Sequence, residues 1–352
     1  MPVHLREVQF SNPFFGTVVI IFIALLSLVA LACILSKTPG RTLYFFFAGP
    51  FRNIYSFGNM LNAAIPLMLG ALGVSIAMKT GSLNLGGEGQ IYSGAFITAV
   101  TALPLAHWGF FGGLIAVLAG SFFAGTVAAV SGFCRARWNT NELITTFLLS
   151  NALILIVNYF INGPFLDPDT SLQSTKKIAE NLRLPQILPP SNLSAALFIA
   201  LAMVIIVHTF LIKTVLGYEF RMAGANEIFA RYGGINTRRN TVLAMFMSGS
   251  LYGFAGALAV LGTYHAAIRE FTAGLGWNGL ATALVAGFNP VAAVPASLFF
   301  AWISSGARIA MQNSDVTFEI ASVVQAVIFF LATSAVLGSF FGRKKFFTGR
   351  RK

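Results

Sequence analysis

The sequence predicts an all-α polytopic membrane protein with about ten transmembrane segments, and three observations carry that expectation. Of 352 residues, 56% are hydrophobic and only 10% are charged, whereas soluble domains carry about 25% charged residues. Too few charges exist to cover a water-soluble globule, and a mean hydropathy of +0.77 agrees. Apolar runs long enough to span a bilayer recur along the whole chain. Finally, the basic residues behind the net charge of +12 sit in short loops and the tail. There they set orientation against the membrane rather than bind nucleic acid.

A spanning helix needs about 20 mostly apolar residues, because backbone polar groups find no water in the hydrocarbon. Runs at 15–36, 57–78, 90–108, 111–133, 142–161, 193–213, 241–262 and 319–340 meet that requirement. The apolar region 276–312 is interrupted by Asn289-Pro290. Proline removes a donor and turns its predecessor away from helix, so two helices are expected there, 276–288 and 291–312. With both termini cytoplasmic, 15 of the 23 Lys and Arg residues fall on the cytoplasmic side and 8 on the other, as the positive-inside bias requires. The chain reads as a single transmembrane domain over 1–352. Residues 1–56 supply an anchor helix and external loop, 57–340 the core and 341–352 a basic cytoplasmic tail.

Catalytic chemistry is not expected. Cys33 and Cys134 lie at the ends of apolar runs, without metal-ligand spacing. No Ser/His/Asp set or paired carboxylates can be assembled, so neither an enzyme activity nor a cofactor is predicted. His107 beside Trp108 reads as an interface anchor, and His208 as a packed or lipid-interface residue. Gly249, Gly253 and Gly256 have small-residue spacing for close helix packing, and Gln325 suits an interhelical hydrogen bond.

Two polar interruptions stand out. The first, Gly81-Ser82-Leu83-Asn84-Leu85-Gly86-Gly87-Glu88-Gly89-Gln90, places four glycines among polar groups between two apolar runs. Glycine weakens a helix by about 1 kcal/mol relative to alanine. An ionisable residue at membrane depth faces a cavity or a partner, so this is a broken helix lining a path. An ordinary surface loop with a solvated Glu88 is the plainer alternative. The segment lacks the spacing of a phosphate-binding loop, so ATP binding by this chain is not expected. Asn141 and Glu142 open the span 142–161, where Glu142 either lines a path or pairs with Arg135 or Arg137.

The second interruption is the loop 214–240, the large polar segment on the cytoplasmic side. Asn226 to Tyr232 predicts a short amphipathic helix with Ile228, Phe229 and Tyr232 on one face, stopped by Gly233-Gly234. Such a helix either packs on its own membrane domain or fits a groove on a partner. On the opposite side, 162–192 contains five prolines and mixed charges, and suits contact with an external partner.

Motifs in these regions resemble those of ABC importer permeases of the branched-chain amino acid and ribose superfamily, in particular the nucleoside branch. Asn84 to Gln90 is similar to the family's Asn-Ile/Leu-Gly-x-Glu-Gly-Gln. Asn139-Thr140-Asn141-Glu142-Leu143-Ile144-Thr145-Thr146 is similar to its Asn/His-Glu-Val-Ile-Ser-Thr after a basic loop. Asn158-Tyr159-Phe160-Ile161-Asn162-Gly163-Pro164, Gly276-Trp277-Asn278-Gly279 and Gly287-Phe288-Asn289-Pro290 match further stretches in order. Asn278 departs from the aspartate that family members often carry.

The resemblance implies that the loop residues Ala223, Gly224, Asn226, Glu227, Ala230, Arg231, Gly233, Gly234 and Asn236 contact a cytoplasmic ABC ATPase. That partner would hold the ATP. It further implies a second permease subunit in a heterodimer, an external substrate-binding lipoprotein and a bacterial inner-membrane location. Nucleosides are the first expectation for cargo and simple sugars the second. Asn84, Gly87, Glu88, Gln90, Asn141, Glu142, Asn278 and Asn289 are the expected substrate-path residues. An ion-coupled secondary transporter is the alternative from another class, since it too uses broken helices and buried acids.

Overall fold

The computed structural model describes residues 36–315 and eight isolated positions outside that stretch. The expected first and last spans, Gln325 and the basic tail lie outside it. The chain divides into a main unit, Pro50–Ser305, and a unit formed by its flanks, Met1–Gly49 with Gly306–Lys352.

In the flanking unit, Pro39 opens a helix α1, Pro39–Ala48, where a loop was expected. Proline suits the first helical turn because its missing N–H would have had no partner there. Asp315 holds the entry to that turn, accepting from Lys37 N at 2.6 Å and from Ser36 Oγ at 2.7 Å. The Ser36 hydroxyl and the Lys37 amide hold its carboxyl down at about 2.

Among the described residues, the main unit is helical, with two isolated bridges and no strand. Its long helices are α2 (Ile54–Lys79), α4 (Phe110–Trp138), α5 (Glu142–Asn162), α6 (Ala196–Lys213) and α9 (Thr237–Ala259, extended by a π turn to Tyr264). Two shorter ones, α3 (Gly87–Ala102) and α10 (Leu275–Val285), accompany them. Between α6 and α9 lie α7 (Val215–Ala225) and α8 (Glu227–Tyr232), and α11 (Ala293–Asn313) follows the Asn289-Pro290 break. Side-chain oxygens cap the polar entries: Asn53 accepts from Ser56 N at 2.7 Å and Asn141 from Leu143 N at 2.9 Å.

Six of these helices are long and apolar enough to cross a membrane. The expected span 90–108 instead begins at Gly87, ends at Ala102 and gives way to a 3₁₀ turn at Ala106–Trp108. At 16 and 11 residues, α3 and α10 rise only about 24 and 16 Å. Neither crosses a bilayer alone. Each continues a non-helical stretch, 81–86 before α3 and 265–274 before α10.

The helix α9 is the centre of the packing, and its small residues are the reason. A Cβ on Gly256 would stand 2.0 Å from the Ile91 carbonyl oxygen, and one on Gly94 would stand 2.5 Å from Gly253 Cα. Backbones therefore touch directly, with α3 on one side of α9 and α4 against Gly249 and Gly253. In α2 the most apolar window is 78% buried, against 28% in α5 and in α6, which leave broad faces open.

Gly256→Ala is expected to cost about 1–3 kcal/mol, since backbone must move to admit the methyl. Its thermal unfolding midpoint in detergent should fall by several degrees. Gly40→Ala, where nothing lies within 4 Å, should leave the midpoint unchanged or higher. Equal midpoints for the two variants would refute the close-packing account.

Candidate functional site

The depth of the glycine-rich segment follows from its hydrogen bonds. Gly89 N donates to Ser150 Oγ at 2.8 Å, and Ser150 is the ninth residue of α5. Eight residues of helix rise about 12 Å, so Glu88 lies well inside the span rather than at its surface. The segment reaches that depth as non-helical backbone. Leu85 N donates to Thr146 Oγ1 at 3.1 Å, one turn nearer the Glu142 end.

At this depth two helix N-termini meet one carboxylate. Glu88 stands in the first turn of α3, and its Oε1 accepts from Gly274 N and its Oε2 from Gly276 N, both at 2.8 Å. Gly274 and Gly276 open α10, so Glu88 caps a helix other than its own. The arrangement is favourable because an anion complements the positive helix end and satisfies donors that have no intrahelical partner. Only glycine permits it at 276, where a Cβ would lie 2.2 Å from Glu88 N.

The neighbouring polar residues hold the junction together. Asn84 and Gln90 are buried and bonded reciprocally, Asn84 Nδ2 to Gln90 Oε1 at 2.8 Å and Gln90 Nε2 to Asn84 Oδ1 at 3.1 Å. Asn84 also donates to Ser248 Oγ of α9 at 3.1 Å and accepts from Gly86 N at 2.9 Å. Gly87 packs on the Tyr252 ring. Asn141 is the cap of α5 noted above, and Glu142 is paired with Arg135. Asn278 is half-buried on α10, and Asn289 lies exposed in the turn before α11, accepting from Val291 N at 3.0 Å. Of the expected path residues, Asn84, Gly87, Glu88, Gln90 and Asn278 come together at the junction. Asn141, Glu142 and Asn289 do not.

The stretch leading into α10 is irregular, with His265, Glu270 and Ala273 at positive φ. Such non-glycine residues persist only where their surroundings determine them. Here the loop 163–195 does so. Thr175 and Ala267 exchange hydrogen bonds at 3.0 Å, Ile178 N donates to His265 O at 2.8 Å and Arg269 N donates to Gln173 O at 2.8 Å. Tyr92 Oη accepts from Glu270 N at 3.1 Å and donates to Asn158 at 2.6 Å.

The loop at the Glu142 end is also tied to the broken segment. A Cβ on Gly224 would stand 2.2 Å from Lys79 O and 3.1 Å from Gly81 N. Arg135 donates to Gly81 O and to Ser82 Oγ, each at 3.0 Å. The expected loop helix is present as α8, and a second helix, α7, precedes it; Asn226, in extended backbone, ends α7 while its Oδ1 accepts from Phe229 N at 3.0 Å. The helix α8 ends in a Schellman turn, Ile235 N to Ala230 O and Gly234 N to Arg231 O at 3.0 Å, with Gly234 at φ +80°. Glu227 and Arg231 pair at 2.5 Å, and Arg231 Nε donates to Thr237 Oγ1 at 3.0 Å. Ala223 and Ala230 are buried, Asn236 caps α9, and Ile228, Phe229 and Tyr232 project from α8, Tyr232 at 89% exposure.

Sequence reasoning did not find the Arg135 clamp or the seat of Gly224. Their one signal was a basic residue and a glycine near polar turns, which names no partner.

Long apolar helices, with two half-length helices meeting between them, define a multi-pass membrane protein with an exposed loop helix. The chain belongs to the family described as branched-chain amino acid transport system / permease component, whose model matches residues 56–333. It is thus an ABC-transporter permease subunit of the plasma membrane, a transport component rather than an enzyme. It is 33% identical over 320 residues to a probable riboflavin import permease of Treponema pallidum, covering 90% of this chain and 84% of the relative. A guanosine ABC transporter permease of Bacillus subtilis is 29% identical over 304 residues, 84% of this chain and 86% of its own. A glucose ABC transporter permease of Haloferax volcanii is 28% identical over 343 residues, 91% and 87%. No solved structure matches the chain significantly.

Glu88→Ala removes the acceptor of both Gly274 and Gly276, and each orphaned buried donor costs about 1–3 kcal/mol. The amides of Gly274 and Gly276 should then exchange hydrogen at least ten times faster in lipid nanodiscs, with Glu88→Gln intermediate because it keeps one acceptor. Unaltered exchange in Glu88→Ala would show that the carboxylate does not hold α10.

Proposed function

We propose that this chain forms one half of the pore of an ATP-driven importer whose cargo is a nucleoside or a chemically similar molecule. That class is an uncharged nitrogen heterocycle carrying a sugar or sugar-alcohol chain. The observation that carries the importer reading is the loop Val215–Asn236. It presents apolar side chains of α8 outward while Gly224 seats it on the turn that begins the broken segment. A helix built to pack on its own domain would bury Ile228, Phe229 and Tyr232.

In this reading α8 docks in a groove on a separate cytoplasmic ATPase, which binds the nucleotide, and this chain holds no ATP site. Ala223, Gly224 and Ala230 seat the loop, Glu227 and Arg231 brace it, and Asn226, Gly233, Gly234 and Asn236 shape its turns. The Glu142 end is cytoplasmic, as are both termini. The chain crosses ten times, because the segments containing α3 and α10 each cross as non-helical backbone plus half a helix, and the two expected terminal spans complete the set. A second, different permease completes the pore, and an external lipoprotein delivers cargo to the end carrying 163–195. Asn84, Gly87, Glu88, Gln90 and Asn278 shape the path at mid-span, with Asn141, Glu142 and Asn289 at its cytoplasmic mouth.

Two features support an uncharged cargo. Glu88 already occupies the positive ends of two helices, which would otherwise attract a carboxylate or phosphate. The relatives named for guanosine, riboflavin and glucose have cargoes with hydroxylated portions, and the first two add a flat heterocycle.

Phe229→Asp combined with Tyr232→Asp should release the ATPase from the purified complex and lower vesicle uptake at least tenfold. Uptake that survives removal of the ATPase would instead identify an ion-coupled transporter. Calorimetry of the external binding protein with guanosine, riboflavin and glucose tests the cargo. Binding of glucose alone would replace the heterocycle reading with a sugar permease.

A further inference from the structure

The buried side of α5 carries Thr146, Ser150, Leu153 and Val157, and the opposite side exposes Ile144, Phe147, Leu148, Leu155 and Tyr159. In the middle of that apolar face stands an exposed asparagine, Asn151. It lies nine residues into the helix, about 14 Å from its Glu142 end, and so within the hydrocarbon layer. Among the described residues its side chain makes one hydrogen bond, Nδ2 to the Phe147 carbonyl oxygen at 2.9 Å. Lipid offers nothing to the second N–H or to the carbonyl oxygen. At Asn151 this face therefore meets water, a polar molecule or another subunit rather than acyl chains alone.

Two aromatic rings flank the same spot. Phe147, one turn away on α5, and Trp277, in the first turn of α10, have ring centroids 6.2 Å apart with planes inclined at 60°. Both are more than 40% exposed. Their backbones are anchored from behind: Gly276, next to Trp277, donates to Glu88, and Ser150, next to Asn151, accepts from Gly89. The rings and the amide are thus placed at mid-span by the same junction. With Glu88 engaged by two backbone N–H groups, this patch presents π faces, one donor and one acceptor.

We infer that Phe147, Asn151 and Trp277 are this subunit's contact with the cargo in transit, the heterocycle lying against the rings while Asn151 hydrogen-bonds its edge. The inference rests on the heterocyclic-cargo reading above. Ring stacking suits any flat heterocycle, because each has a π face. The amide supplies the one donor and one acceptor that its edge requires.

The test is uptake of guanosine and of riboflavin by the complete transporter in vesicles supplied with its binding protein. Trp277→Leu keeps apolar bulk and removes the large ring, and should slow uptake roughly tenfold, the order of one lost stack. Trp277→Phe should recover most of the rate. Asn151→Leu should slow uptake by about the same factor, and co-purification of both permeases should remain stoichiometric in every variant. Wild-type rates in Trp277→Leu and Asn151→Leu would overturn the inference. So would loss of the second permease from the purified complex, which would make this face a subunit interface. A wild-type transporter that moves glucose and neither heterocycle overturns the cargo reading, and this inference with it.

Discussion

The bond from the Glu88 carboxylate to the amides of Gly274 and Gly276 is the constraint on which the centre of this protein depends. Two non-helical segments, 81–86 and 265–274, lead to this junction, and each turns helical there. Where a helix starts, its first N–H groups have no intrahelical partner, and hydrocarbon cannot supply one. A carboxylate from one half-helix answers that need in the other. The same contact explains why 276 is glycine, since any side chain there would collide with the backbone of residue 88.

From that junction, contacts run without a gap to both ends of the main unit. Toward one end, the extended segment 81–86 leads to the turn at Lys79–Gly81, which is seated on Gly224 and clamped by Arg135. Toward the other, 265–274, with His265, Glu270, Ala273 and Gly274 left-handed, is held by Thr175, Ile178 and Tyr92. Both loops thus bear on the two segments that meet at Glu88. The long helices α2, α4 and α9 are held beside them by backbone contact at their glycines.

Much of this was legible in the residues. The runs of apolar length foretold the long helices, and the break at Asn289-Pro290 fell where expected. The spacing of Gly249, Gly253 and Gly256 corresponds to real close approaches. The glycine-rich segment stood out because its composition conflicts with lipid. Other features were not legible. The helix α1 was read as loop, because a single turn-forming proline does not reveal Asp315 coming from the far end of the chain. Asn84 and Gln90 read as path residues in sequence, and only the structure shows that they also pair with each other across the bend.

The sequence by itself determined that this chain lives in a bilayer, roughly where its long described helices lie, and which segments violate the rules of lipid. Those properties depend on composition and local periodicity, which short windows carry. Tertiary structure alone decided how deep the violations lie and what satisfies them. Depth came from Gly89 meeting Ser150, and satisfaction from residues nearly 190 positions apart in the chain. An unpaired N–H in hydrocarbon must find an acceptor, but nothing in its own neighbourhood says which one.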